Sequence, residues 1–278
     1  MKSDLHLHST YSDGSDNISE LVKTIESAKL KVVALSDHDT FDGLFEFEKQ
    51  LDDSVRFIKA IELTCLADDI KCHILGYNIN TESEPLKELI QKGKVLRRKK
   101  LDTRLKFLKD VWNIELTQAE HDWIYSRNSV VKIHVANILV NRGLAKDNLS
   151  AMRKYLDNCK TGNTKFDGIE AISVIKQSGG IPVWAHPLGG EGEEHISKEL
   201  FFNQLEKMKS FGIEGLECYY SRYSIEECEF LADTAKKHNL FISGGSDYHG
   251  LNKDVAIGTL NTDGIYIDSD KLTILNSV

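Results

Sequence analysis

The sequence predicts an α/β protein, built on a parallel sheet or barrel and interrupted by a helical insertion. Three observations carry this reading. Short β-prone runs alternate with amphipathic helical stretches through most of the chain. Polar clusters close those runs at their C-terminal ends, where active-site loops sit in α/β folds. Residues 84–165 drop the rhythm and carry helix signals with few strand signals.

The first run, residues 2–8, reads as a strand, followed by a loop through Thr10-Tyr11-Ser12-Asp13-Gly14. Asn17 then offers a helix N-cap with Glu20 three positions on. Leu21, Ile25 and Ala28 continue at helical spacing, so a helix is expected near residues 18–29. Val32-Val33-Ala34-Leu35 is a second strand, ending at Ser36-Asp37-His38-Asp39. Residues 55–63 and 72–77 are the next two. In the second half, helices over 169–177, 201–211 and 225–238 alternate with strands over 181–185, 215–219 and 240–243. Between the halves, Leu101, Leu105, Leu108 and Trp112 fall at spacings of four, three and four, the stripe of one helix. The expected organisation is a barrel formed by residues 1–83 and 166–278, with 84–165 inserted as a helical cap. Internal repeats and low-complexity segments are absent.

Composition narrows the function classes. Of the 278 residues 41% are apolar and 28% charged, and no run approaches the roughly 18–20 apolar residues of a membrane span. No apolar segment with a cleavage site follows Met1-Lys2-Ser3-Asp4, so no signal peptide is expected. The five cysteines are odd in number and lack CxxC spacing, which favours reduced thiols and a cytoplasmic location. A net charge of −8 disfavours a general nucleic-acid binder, and a polyanionic substrate would need locally concentrated positive charge.

The sharpest local signal is Asp4-Leu5-His6-Leu7-His8. Residues two apart on a strand face the same side, so His6 and His8 can present both imidazoles to one ion. Alone this is a weak motif, but it has company. Asp13 lies in the following loop, His38 closes the second strand, Glu62 ends the third, and His73 is nearby. His186 ends another strand, and Asp247 and His249 close the last. In a closed barrel these loops converge on one face, and dispersed His, Asp and Glu side chains can meet there.

Seven motifs in order along residues 4–250 resemble those of the PHP family, named for polymerase and histidinol phosphatase. They are Asp4-Leu5-His6-Leu7-His8-Ser9, Tyr11-Ser12-Asp13-Gly14, Ser36-Asp37-His38-Asp39, Ile61-Glu62, His73-Ile74-Leu75-Gly76-Tyr77, Ala185-His186-Pro187 and Gly244-Gly245-Ser246-Asp247-Tyr248-His249-Gly250. The resemblance implies a distorted (β/α)7 barrel and a metal-dependent phosphoesterase with two or three divalent ions. It assigns one ion to His6, His8, Glu62 and Asp247, and a second to Glu62, His73 and His186. The third would take Asp13, His38 and His249. Imidazole and carboxylate donors without thiolate suit manganese, zinc or iron. Three such ions would bring about six positive charges to three carboxylates, a positive pocket inside an acidic protein. The implied chemistry is attack on phosphorus by a metal-bridging hydroxide, with Glu62, Asp247 and His249 as the catalytic candidates.

The insertion resembles that of a subgroup that removes the 3′-phosphate from nucleoside 3′,5′-bisphosphates and trims short RNA 5′ to 3′. The subgroup has Arg-Pro-His where this chain has Lys132-Ile133-His134, and His where it has Tyr223. Lys132, His134 and Arg222 are the candidate substrate contacts. Two alternatives are a small-metabolite phosphatase of the histidinol-phosphate type and a non-catalytic module. The expected partner is a phosphorylated small molecule, a nucleotide or short RNA, with no membrane and no obligate protein partner. Nine of the residues from Lys92 to Lys109 are basic, a run that reads as a solvated helix face. His121, His195 and His238 carry no expected role.

Overall fold

A strand buried on both faces needs cover on both, and that requirement shapes this molecule. The structure, a computed structural model, describes residues 1–190, 195–266 and 268–278. In β1 (Ser3–Leu7) and β2 (Val32–Leu35) every residue is buried. Between them α1 (Ile18–Ala28) turns Ile18, Leu21, Val22 and Ile25 inward, its N-terminus closed by the Asn17–Glu20 capping box. α2 (Leu44–Gln50) then leads to the long strand β3 (Arg56–Ala67), whose first half pairs in parallel with β2.

The parallel pattern breaks at β4 (Ile70–Tyr77). It runs antiparallel to β3 and to the later strand β6 (Ile181–Ala185). Only Asp68 and Asp69 separate β3 from β4, with Asp68 in the left-handed region (φ 56°). No crossover helix fits in so short a link, so the pair forms a hairpin, one antiparallel element within the expected barrel.

The insertion follows as α3 (Glu84–Trp112), α4 (Gln118–Tyr125), α5 (Lys132–Asn141) and the short α6 (Asn148–Ala151), which widens into a π turn over Met152–Leu156. These helices bury Leu108, Ile124, Val135, Ile138, Leu139 and Leu156 in a core separate from the main one. The expected stripe on α3 is only partly buried: Leu101 and Leu108 are enclosed, while Trp112 is 39% exposed and rests edge-on against Tyr155.

The short strand β5 (Phe166–Asp167) returns the chain to β3, and α7 (Gly168–Gln177) leads into β6. Alternation resumes with α8 (Lys198–Phe211), β7 (Gly215–Tyr220), α9 (Ile225–Lys237) and β8 (Phe241–Gly245). The strand order is β1-β2-β3-β4-β6-β7-β8, with β5 beside β3. Just past β8, a parallel bridge between Leu7 and Tyr248, with the His8 amide donating to the Tyr248 carbonyl at 3.0 Å, nearly closes the sheet into a barrel. Gly245 permits that closure, because a Cβ there would lie 2.2 Å from the Cβ of His6. Among the described residues no helix is long and apolar enough to cross a membrane.

Candidate metal centre

The barrel is irregular where its functional side chains sit. The β1–β2 register slips between Asp4 and Leu7, and the β7–β8 register slips between Glu217 and Tyr219. Such bulges re-aim side chains, and here His6 and Glu217 meet at one of them. Two buried aspartates fasten the loops. Asp4 accepts from the Ser246 amide (2.9 Å), the Ser246 hydroxyl (2.5 Å), the Gly258 amide (2.7 Å) and the His6 amide (3.2 Å). Asp37 accepts from the Ser9 amide and hydroxyl (2.8 and 2.7 Å) and the Ser12 hydroxyl (2.5 Å). Burial pushes both carboxyls up to about 6 against these hydrogen bonds. His186 (φ 30°) and Asp247 (φ 57°) are held in the left-handed region, backbone strain of the kind that functional sites store.

All nine residues expected as ligands converge, and Glu62 lies at their centre. Its Oε2 is 3.2 Å from His6 Nε2, 3.2 Å from His8 Nε2 and 3.0 Å from His38 Nδ1. Its Oε1 is 2.9 Å from His73 Nδ1 and 3.3 Å from His186 Nε2. Asp247 Oδ1 lies 3.3 Å from His8 Nε2, and Asp13 Oδ1 lies 3.1 Å from His249 Nε2. Three sets of donor atoms lie mutually within 4.8 Å: His6, His8, Glu62 and Asp247; His38, Glu62 and His73; and His8, Asp13, His38 and His249. The first set is the one expected. In the others His38 approaches Glu62 as well as Asp13, and His8 joins the third set.

The donors fit divalent cations. His6 Nε2, His8 Nε2, His38 Nδ1, His249 Nε2, Glu62 Oε2 and Asp13 Oδ1 are buried without a hydrogen-bond partner. Buried polar atoms are normally satisfied, so a convergent group of unsatisfied imidazole and carboxylate atoms calls for an ion. Burial works to raise the Glu62 carboxyl, but His38, His6 and His73 outweigh it and hold it well below the usual carboxylate range. Asp247 behaves alike, with Lys253 and His6 the leading opponents of burial.

Two further residues belong to this centre that sequence reasoning missed. Glu217, fully buried on β7, accepts from His6 Nδ1 at 2.8 Å and from the His186 amide at 2.8 Å. A lone carboxylate inside the run Gly215-Leu216-Glu217-Cys218-Tyr219 was the available signal. Lys253 reaches Asp247 Oδ2 at 2.6 Å, and the Tyr220 hydroxyl donates to the same oxygen at 3.1 Å.

The expected substrate contacts fare differently. Lys132 is turned away, its ammonium paired with Asp157 of the insertion. His134 is 3% exposed; its Nδ1 accepts from the Val131 amide at 3.2 Å, and its ring also bonds the Ser12 backbone. Burial, Arg127 and Arg97 lower it to about 4, so it is a neutral tie between α5 and the Asp13 loop. Arg222 lies two residues past the end of β7. Tyr223 secures the turn after His186, accepting from the Leu188 amide (2.8 Å) and donating to the Gly189 carbonyl (3.3 Å). The basic run is not uniformly solvated: Arg97 pairs with Asp39, Lys94 with Asp42, and Arg104 is buried. His121, His195 and His238 lie outside the ligand cluster.

The model of the PHP domain family matches residues 4–163, more than half of the chain. The chain belongs to the PHP domain family. Among curated PHP relatives, a 5′-3′ exoribonuclease of Haemophilus influenzae is 29% identical over 255 residues, covering 89% of this chain and 90% of that protein. A 3′,5′-nucleoside bisphosphate phosphatase of Chromobacterium violaceum is 26% identical, covering 88% and 86%. A solved amidohydrolase structure from Chromobacterium violaceum, containing sulfate and no metal, superposes with a TM-score of 0.80 at 24% identity, covering 92% and 90%. That likeness shows a shared fold.

Proposed function

We propose that this PHP protein is a metal-dependent phosphoester hydrolase that removes the 3′-phosphate from nucleoside 3′,5′-bisphosphates, with short RNA as a second substrate. The observation that carries the reading is Glu62, one buried carboxylate whose two oxygens face five imidazoles. It would be shared between an ion held by His6, His8 and Asp247 and another held with His73 and His186. Asp13, His38 and His249 would hold a third. When bound, such ions supply an activated water and neutralise charge on the phosphoryl oxygens.

The chain's own residues prepare the donors. Glu217 takes the Nδ1 proton of His6 as a hydrogen bond, which leaves the Nε2 lone pair for the centre. His249 Nδ1 likewise donates to the Asp247 carbonyl at 2.8 Å, which leaves its Nε2 lone pair for the centre. Lys253 and Tyr220 fix Asp247 Oδ2, so that Oδ1 faces inward. A cavity of about 390 Å³, lined by Lys71, His73, Lys165, Trp184, His186 and Gln204, opens beside the centre. Its size lies within the ~300–1,000 Å³ usual for ligand pockets. Residues 84–165 act as a cap over this end, supported by Arg97 on Asp39 and by Arg127 on the Thr10 carbonyl.

The relatives' names favour nucleotide substrates over histidinol phosphate. The test is phosphate release by manganese-supplemented protein from adenosine 3′,5′-bisphosphate, histidinol phosphate and a 5′-phosphorylated oligoribonucleotide. Turnover of the bisphosphate well above that of histidinol phosphate is expected. The reverse order would replace this reading with that of a small-metabolite phosphatase.

A further inference from the structure

Helix α3 carries a charge arrangement that folding alone does not explain. Arg97, Lys100 and Arg104 are spaced by three and four residues and share one helical face, where like charges repel. Arg97 is balanced by Asp39 and also donates to the Val130 carbonyl. Among the described residues, Lys100 and Arg104 make neither a hydrogen bond nor an ion pair. Yet Arg104 is only 8% exposed, and Lys100 is half-buried. A desolvated cation without a counter-ion is costly, and arginine is almost never buried unpaired. An apolar side chain would fill the same space at no such cost, as Leu101 and Leu108 do beside it.

The missing partner is therefore an anion, and the position of this pair indicates which one. Lys165, just before β5, presses on Lys100 electrostatically and also lines the cavity that His73 and His186 share. The cationic strip thus runs from the cavity rim along α3. Lys100 and Arg104 are ~6 Å apart along the helix axis, close enough for both to grip one phosphate.

We propose that Lys100 and Arg104 form a second anion site, which holds the phosphate of the substrate that is not hydrolysed. Only the identity of the substrate rests on the function proposed above; the anion site itself does not. A doubly phosphorylated substrate would place one phosphate at the metal centre and the other on α3. The remote contact would favour it over singly phosphorylated analogues.

The test compares wild type with the double variant Lys100→Met/Arg104→Met, both manganese-loaded, on adenosine 3′,5′-bisphosphate and adenosine 3′-phosphate. The ratio of the two kcat/KM values is expected to fall by at least ~10-fold in the variant, mainly through KM for the bisphosphate. The ligand-free variant should also melt no lower than wild type, since one buried and one half-buried unpaired charge have gone. An unchanged ratio, or equal losses on both substrates, overturns the proposal. If wild type hydrolyses neither compound, the proposed function fails and binding decides the anion site separately. Adenosine 5′-phosphate should then raise the Tm of wild type and not of the double variant. An equal rise in both proteins, or none in either, overturns the site.

Discussion

At His6 the two ring nitrogens have different neighbours: Nδ1 meets Glu217 at 2.8 Å, and Nε2 faces Glu62 and Asp247. A carboxylate behind a ligating histidine orients the ring and raises its basicity. Glu217→Gln keeps the shape but loses one acceptor, so metal affinity should weaken by ~10–100-fold. Competition with a chelating dye reads this directly, and an unchanged affinity would remove Glu217 from the centre. A second expectation concerns Lys100, whose ammonium is pushed from 10.5 down to about 8 by burial, with Arg104, Arg97 and Lys165 adding to it. Between these values the unfolded chain holds the proton and the folded chain does not, so stability rises with pH across that window. Lys100→Met should abolish that rise in the urea midpoint; parallel pH curves for the two proteins would contradict it. The candidate ligands were legible in the sequence because strand periodicity and loop position expose them. Glu217 was not, since its partner lies 211 residues away and only the fold joins them.

Among the elements, α3 joins the cap to the barrel. Gly93 makes that possible, since a Cβ there would lie 2.2 Å from Phe166 Cζ on β5. The cap's own core predicts separable stability. Leu139 is fully buried in it, so Leu139→Ala should cost ~2–5 kcal/mol. Hydrogen exchange should then rise in α3–α6 while β1 and β2 stay protected. Uniform loss of protection would mean that cap and barrel unfold as one unit. Most elements could be read from capping signals and apolar spacing, as at Asn17 and Glu20. The antiparallel β4 was missed because strand propensity is blind to direction, and only the shortness of the Asp68-Asp69 link reveals it. On α3 the basic residues and leucines interleave at the same spacings, so composition could not say that Arg104 points inward.

For the whole molecule, the candidate ligands come from six strands and their following loops, so a bound ion would clamp the barrel end together. Binding to the folded state alone stabilises it, so stripping metal with a chelator should lower Tm, and adding manganese should restore it. A Tm indifferent to metal would argue against a preformed centre. Within this acidic chain, Lys71 and Lys165 line the cavity beside the centre. The central claim is that Glu62 organises a metal centre that cleaves a phosphoester. Phosphate release from adenosine 3′,5′-bisphosphate, measured for chelator-treated and manganese-reconstituted wild type and for Glu62→Gln, tests it most directly. Activity should appear only in reconstituted wild type and fall by at least ~100-fold in the variant. Hydrolysis that survives chelation, or a fully active Glu62→Gln, would contradict the account.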